Sequence, residues 1–165
     1  MKPVLVALAL LALAPAAQAQ TAPAPAATPA PPAPPYGAPI GLEAAQTLID
    51  RAIEAARARQ FRLAIAIVEP SGELVAFARM DDVQYASIAI AQKKASTAAR
   101  FRAATAALEE RVVGGRMVIL AIDEMLPVAG GVPIVVDGRV VGAIGVSGAS
   151  SAQDDEIARA ARAAR

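Results

Sequence analysis

The residues best suited to bind a ligand are a lysine and a threonine three positions apart, preceded by an arginine. Lys94 and Thr97 lie in a run of strong helix formers, so their spacing places both side chains on one face of a helix. Together with Arg79 they offer two cations and a hydroxyl group to a carboxylate. The pattern predicts a site for an acidic small molecule. The alternative is a solvated lysine beside a threonine that hydrogen-bonds back to its own helix.

Two adjacent glycines, Gly130 and Gly131, are a second candidate for anion binding. Their successive backbone N–H groups can form a concave cradle for an anion. A tight connection that needs a positive φ angle explains the same pair without a ligand, and we prefer that interpretation. Gly142, Gly145 and Gly148 recur every third residue, but inside and just after a predicted strand. This position favours close packing of a helix on the sheet over dinucleotide binding.

The composition excludes several classes of chemistry. The chain contains no His, Cys or Trp, which rules out imidazole catalysis, disulfide bonds and thiolate metal sites. The acidic groups at 123–124 and 154–156 point adjacent carboxylates in different directions, which makes a poor metal cage. The second group also suits the first turn of a helix. Because no nucleophile is paired with a base, we assign no catalytic residues and no metal ligands.

Charge and aromatic content argue against nucleic acid as a partner. The formal net charge is +1, and Lys2 alone accounts for it. The chain has two Tyr and three Phe. A nucleic-acid binder needs a basic face, and this balance does not supply one.

The first 40 residues are predicted to lie outside the folded domain. Lys2, the apolar run 4–13 and the small-x-small sequence at 17–19 form a secretory signal peptide over residues 1–19, cleaved near Ala19. The apolar run is too short for a stable membrane anchor. The pattern predicts a periplasmic or secreted protein. Residues 20–40 are rich in Pro and Ala, which is typical of a disordered, extended linker.

Hydrophobic spacing predicts the elements that must position these residues. Apolar residues at three- and four-residue steps predict a helix over Leu42–Ala58. Strands at 63–69 and 74–80 are joined by a turn too short for a helical crossover, so they form an antiparallel hairpin. The sequence Asp137-Gly138 joins a second hairpin. The other predicted elements are strands at 132–136 and 139–146, helices at 86–100, 103–111 and 151–164, and a strand or short buried helix at 117–122.

These elements predict an α+β domain over residues 41–165, with a central antiparallel sheet flanked by helices. Ser150 followed by Gln153 is a capping box, which marks the start of the last helix. Because the hairpins alternate with helices along the chain, we expect the helices to pack on the faces of one central sheet.

Several separated motifs resemble those of one known family. Residues 77–82 (FARMDD) and 91–101 (AQKKASTAARF) are similar to the family's RMDGA…KA-x-TA-x-x-F segment. Residues 130–134 (GGVPI) with 137–138 match its GG-x-P…DG loop. Residues 142–148, with Asp154 after them, match its GAIGVSG…D ending. Over residues 41–165 the chain resembles the GlcG/HbpS haem-binding family, also called the haem-degrading domain.

The resemblance implies a profilin-like three-layer sandwich, assembly into a homo-oligomer, and haem or a related tetrapyrrole as the ligand. Because the chain has no His, the candidate contacts of a haem iron are Met80 and Tyr85. A core role is the commoner one for a methionine such as Met80, since methionine fills irregular gaps. The predicted ligand-binding residues, which would contact a propionate or another carboxylate, are Arg79, Lys94, Thr97, Gly130 and Gly131.

Three functions remain open from the sequence. The first is an exported, oligomeric haem-binding protein without a conventional catalytic site. The second is an accessory enzyme or binding protein for a small hydroxy or keto acid such as glycolate. The third is an assembly module whose ligand pocket is vestigial.

Overall fold

The two predicted hairpins form the centre of the structure, a computed structural model that describes residues 32–163. All strand pairs are antiparallel, in the order β2-β1-β4-β3. The α+β class and the central antiparallel sheet flanked by helices are confirmed. The elements in chain order are α1 (Leu42–Ala58), β1 (Ala64–Val68), β2 (Leu74–Arg79), α2 (Ala86–Phe101), α3 (Thr105–Val113), a 3₁₀ helix (Met117–Ala121), β3 (Gly131–Val136), β4 (Arg139–Ser147) and α4 (Ser151–Ala163).

Strand β1 shows why the sheet is covered on both faces. All five of its residues are buried. Successive side chains of a strand point to opposite faces, so Ile65 and Ile67 share one face with α1 and α4. Ala64, Ala66 and Val68 share the other face with α2. The result is three layers, with α1 and α4 on one side of the sheet and α2 on the other.

Small residues let α2 lie very close to the sheet. The residues of α2 in the hydrophobic cluster on this face are all alanines, and a Cβ at Gly145 of β4 would collide with the carbonyl oxygen of Ala91 and the backbone nitrogen of Ala95. This contact confirms that close helix packing accounts for Gly145. Tight packing here fixes where Lys94 and Thr97, both on α2, can point.

The last part of the predicted linker belongs to the fold. Strand β4 is longer than β1, and residues 35–40 run beside its unpaired half. The carbonyl oxygen of Pro35 accepts a 2.9 Å hydrogen bond from Val140, which in turn accepts one of 2.9 Å from Gly37. The ring of Tyr36 lies 5.0 Å from the guanidinium of Arg102. The linker assigned to residues 20–40 must therefore be shortened, because these residues have backbone partners.

Other predicted bounds shift by small amounts. The third helix is Thr105–Val113 rather than 103–111. The segment predicted at 117–122 as a strand or short buried helix is a 3₁₀ helix over Met117–Ala121 with mostly exposed side chains. The capping box is confirmed, since Ser150 and Gln153 exchange hydrogen bonds.

Among residues 32–163, no helix combines the length and apolar character needed to cross a membrane. The signal peptide assigned to 1–19 lies outside the described residues.

Candidate functional site

Lys94 and Asp154 form a buried ion pair between α2 and α4. The ammonium Nζ of Lys94 lies 2.8 Å from Oδ2 of Asp154 and donates a second hydrogen bond, of 3.1 Å, to the carbonyl oxygen of Val146. The two side chains are 2% and 3% exposed. The other carboxylate oxygen of Asp154 accepts a 3.0 Å hydrogen bond from the N–H of Ala149. The pair therefore ties both helices to the end of β4.

Burial raises the pKa of Asp154 above its ordinary value of 3.8, while hydrogen bonds from Lys94 and Ala149 act in the opposite direction. Removal of two charges from water costs roughly several kcal/mol per ion, which their mutual attraction has to offset. Since desolvation is the larger effect on Asp154, we interpret the pair as a contact that fixes the positions of α2 and α4. A large net stabilisation is not needed to explain it.

The two glycines lie directly against this ion pair. Gly130 has a φ angle of +122°, and a Cβ there would lie 2.9 Å from Nζ of Lys94 and 2.7 Å from the carbonyl oxygen of Val146. A Cβ at Gly131 would collide with the carbonyl oxygen of Lys94. The N–H of Gly131 donates to the hydroxyl of Thr105 at 2.8 Å. Gly130 thus has the positive φ angle expected of a tight connection, and both glycines permit close packing at the start of β3.

Thr97 holds the loop before β3 against α2. Its hydroxyl donates a 2.7 Å hydrogen bond to the carbonyl oxygen of Lys93, one turn earlier in the helix. The same oxygen accepts a 2.9 Å hydrogen bond from the N–H of Leu126. The hydroxyl of Thr97 therefore both donates and accepts a hydrogen bond within the protein.

Four of the residues predicted to bind a ligand are thus brought together, but in a packed interior. Lys94, Thr97, Gly130 and Gly131 are all buried. In this arrangement two hydrogen bonds of the ammonium are directed to protein oxygens. Direct ligand binding at Lys94 would require the ion pair to open, so the role of these four residues in binding stays a prediction.

Arg79 and Met80 lie elsewhere, in an open cleft between the end of α1 and the end of β2. The cleft has a volume of about 410 Å³, which is within the range of small-molecule sites. Its lining residues are Ile53, Arg57, Arg62, Arg79, Met80, Asp81 and Asp82. We call this set the arginine cleft.

The arginine cleft presents three guanidinium groups that have no partner. Among residues 32–163, the side chains of Arg57, Arg62 and Arg79 make neither a hydrogen bond nor an ion pair, and all three residues are exposed. The carboxylates of Asp81 and Asp82 line the same cleft, so the charges sum to +1. Guanidinium groups bind carboxylates through two parallel hydrogen bonds, and this site has donors available for that purpose.

Sequence reasoning missed Arg57 and Arg62 as members of this site. The position of Arg62 could have been predicted from the register of the β1–β2 hairpin, in which Ala64 of β1 pairs with Arg79 of β2. The residue two positions before Ala64 must then lie beside residues 80–82. Arg57 carries no comparable signal, since a cation on the polar face of α1 is ordinary.

The two candidate iron contacts have different surroundings. Met80 lines the arginine cleft and is half-buried, with its N–H donating a 2.9 Å hydrogen bond to the carbonyl oxygen of Leu63. It also packs against the main core. Tyr85 precedes α2, is 82% exposed and is not part of the cleft lining. The structure therefore places Met80, and not Tyr85, beside the guanidinium groups.

The donor set of the arginine cleft fits the carboxylates of a haem. Three guanidinium groups suit two propionates, and the thioether of Met80 is a known type of haem iron ligand. Ile53 and Met80 are the two apolar side chains of a lining that is otherwise charged. Among residues 32–163, no cluster of three acidic side chains is placed to hold a bare metal ion.

The fold agrees with what comparisons with known proteins show. The family described as haem degrading protein, HbpS-like, matches residues 40–163, and the chain belongs to this family. Protein GlcG of Escherichia coli K12 is 40% identical over 103 residues, which are 62% of this chain and 77% of GlcG.

Two solved structures are similar in fold and sequence. A double mutant of HbpS from Streptomyces reticuli superposes with a TM-score of 0.71 and 32% identity, covering 86% of this chain and 97% of HbpS. A complex of PduOC with haem superposes with a TM-score of 0.69 and 29% identity, covering 76% of this chain and 94% of PduOC. The three-layer arrangement is thus shared with a relative whose haem complex has been solved.

Proposed function

We propose that this protein is an exported, oligomeric haem-binding protein that holds the carboxylates of its ligand in the arginine cleft. The observation that carries the proposal is the set of three unpartnered guanidinium groups beside the thioether of Met80. Membership of the HbpS-like family and the haem complex of PduOC support a tetrapyrrole as the ligand. The signal-peptide pattern at residues 1–19 supports export.

Four lining residues of the arginine cleft have a definite task in such a complex. The guanidinium groups of Arg57, Arg62 and Arg79 donate hydrogen bonds to the propionates, and their charges offset the negative charge brought in. Met80 lies next to them, and its sulfur is the group in the cleft that would contact the iron. The iron itself supplies ligand-exchange and redox chemistry when haem is bound.

Absorbance titration of hemin into the full chain tests this proposal. We expect a saturable shift of the Soret band with one hemin per chain at micromolar protein concentration. A spectrum equal to the sum of free hemin and protein would overturn the proposal. The matched control is this chain with Arg57, Arg62 and Arg79 all replaced by Gln, because this variant keeps the fold and removes the three guanidinium groups of the cleft.

A small hydroxy or keto acid such as glycolate is the second candidate ligand. The lining of the arginine cleft is mainly charged, and a single carboxylate satisfies guanidinium donors without a macrocycle. Thermal unfolding with and without glycolate distinguishes the two ligands. Stabilisation by glycolate together with an unperturbed hemin spectrum would favour the hydroxy acid and remove haem.

A further inference from the structure

Asp82 has a left-handed backbone conformation in the connection between β2 and α2. Its φ angle is +61°, which is uncommon for a residue other than glycine. In the part of the chain that the structure describes, three other non-glycine residues share this conformation. Gln60 follows α1, Arg102 follows α2, and Asp137 lies in the turn of the β3–β4 hairpin, all places where a positive φ angle is ordinary. Asp82 instead lines the arginine cleft.

Glycine suits the position of Asp82 better than aspartate does. A residue without a Cβ adopts a positive φ angle with little strain, whereas any other residue adopts it at a cost. The motif RMDGA, which residues 79–82 resemble, has glycine at this place. The chain therefore carries a carboxylate at a position that favours glycine. Strained residues of this kind cluster at ligand sites, where function explains them.

The fold itself makes no use of the Asp82 carboxylate. Helix α2 begins at Ala86, and no side chain caps its first N–H groups. Within residues 32–163, the carboxylate neither accepts a hydrogen bond nor forms an ion pair, and the residue is exposed. A capping role, which often explains an acidic residue just before a helix, is therefore excluded. What distinguishes Asp82 is its place among the charges of the arginine cleft.

Asp82 lowers the positive charge of the arginine cleft. The three guanidinium groups and the carboxylate of Asp81 sum to +2, and Asp82 reduces the sum to +1. A charge of +2 would offset two ligand carboxylates, whereas a charge of +1 offsets one. A ligand carboxylate that comes within about 4 Å of Asp82 in water should bind roughly fivefold more weakly because of the repulsion.

We propose that Asp82 is a specificity-determining residue, which makes the arginine cleft select against ligands with many carboxylates. This rests on the proposed function, in which the cleft holds the propionates of a haem. The guanidinium groups donate hydrogen bonds to the ligand, while Asp82 repels each further negative charge. Iron porphyrins differ in how many carboxylates they carry, since haem has two and iron coproporphyrin has four. Compared with a glycine at this position, Asp82 disfavours the more acidic of them.

Titration with three iron porphyrins tests the role of Asp82. The probes are hemin dimethyl ester, which has no free carboxylate, hemin, and iron coproporphyrin. Asp82→Asn removes the charge and keeps a residue that tolerates the left-handed conformation, whereas Asp82→Gly also removes the strain. We expect both variants to bind hemin roughly fivefold more tightly than the parent, and iron coproporphyrin by a larger factor. The dimethyl ester should bind equally to all three chains.

Salt and a second variant control for the charge effect. The gain should largely disappear in 1 M salt, where the screening length is about 3 Å. Glu73→Gln removes the same charge from an exposed residue at the other end of β2, and it should leave all three affinities unchanged. A gain in Asp82→Gly alone, or an equal gain for all three porphyrins, would assign the effect to the backbone and overturn the proposal.

The hemin titration also separates this inference from the proposed function. A parent chain that gives no Soret shift with hemin would remove haem binding and this inference with it. A parent chain that binds hemin, together with Asp82 variants of the same affinity, would leave haem binding intact and remove only the role of Asp82.

Discussion

The ammonium of Lys94 and the carboxylate of Asp154 face each other at 2.8 Å across 60 residues of sequence, at the end of the sheet where β4 finishes and β3 begins. This contact joins the two helical layers. It also explains why positions 130 and 131 are glycines, because Lys94 lies so close to both that neither has room for a side chain. Lys94, which the sequence predicts as a ligand-binding residue, thus positions α2 against α4 through its contact with Asp154.

The Lys94–Asp154 pair should show strong energetic coupling. Lys94→Met or Asp154→Asn alone leaves one charged or polar group buried without its partner, which should lower the free energy of unfolding by about 3–5 kcal/mol. The double variant should cost no more than one single variant, so a double-mutant cycle by chemical denaturation should give a coupling about as large as one single loss, about 3–5 kcal/mol. Additive losses would contradict this interpretation.

The exposed ion pair of Arg59 and Glu156 is the matched control. Its atoms lie 2.7 Å apart, but the side chains are 39% and 53% exposed. Solvent screening makes such pairs weak, so Arg59→Met and Glu156→Gln should each change the free energy of unfolding by about 1 kcal/mol or less.

Gly145→Ala should be strongly destabilising. The added Cβ would meet the carbonyl oxygen of Ala91 and the backbone nitrogen of Ala95, and neither can move without shifting α2. We expect a loss of about 3 kcal/mol in the free energy of unfolding. Gly41→Ala is the control, because a Cβ there meets nothing within 4 Å. Equal stability of the two variants would show that α2 does not lie so close to the sheet.

Tyr36→Ala should release residues 34–40 from the sheet. The change removes the 2.7 Å hydrogen bond from the tyrosine hydroxyl to the carbonyl oxygen of Arg100 and the ring contact with Arg102. Together these contacts are worth about 1–2 kcal/mol, so hydrogen exchange at the N–H of Val140 should accelerate roughly tenfold. Exchange at Val146, whose N–H donates to Gly130, should not change. Equal acceleration at both amides would indicate global destabilisation instead.

The haem iron contact should be traceable to Met80. Met80→Leu conserves volume and should cost less than about 1.5 kcal/mol in stability, yet it removes the sulfur from the arginine cleft. We expect a changed Soret position in the hemin complex of this variant. Tyr85→Phe should leave the spectrum as in the parent, since Tyr85 lies outside the cleft lining. The reverse pattern would assign the contact to Tyr85.

Local patterns in the sequence were sufficient to predict most of the fold. The three- and four-residue spacing predicts α1 at Leu42–Ala58, and Asp137-Gly138 predicts the β3–β4 turn, because both depend on neighbouring residues only. Residues 34–40 could not be predicted in this way. Their partners are backbone groups of β4, about a hundred residues away in sequence, and a Pro-rich composition carries no trace of them.

The candidate site shows the same limit more sharply. Asp154 fits the first turn of a helix so well that its sequence gives no sign of a buried lysine as partner. Arg79 was predicted from its residue type and its nearness to Lys94 in sequence, whereas Arg57 joins the cleft only because α1 packs beside the end of β2. Whether an arginine side chain has an acidic partner depends on contacts between residues far apart in sequence. These contacts exist only in the folded chain.

Hemin affinity of the arginine variants is the most direct measurement of whether the arginine cleft binds haem. A hydrogen bond to a charged group is worth about 1.5–3 kcal/mol, so Arg79→Gln should weaken hemin binding by roughly tenfold or more. Arg57→Gln and Arg62→Gln should each weaken it in the same direction. Arg139→Gln removes the same charge from the β3–β4 hairpin, far from the cleft lining, and should leave the affinity unchanged. If all four variants bind hemin as tightly as the parent, the ligand does not use the arginine cleft.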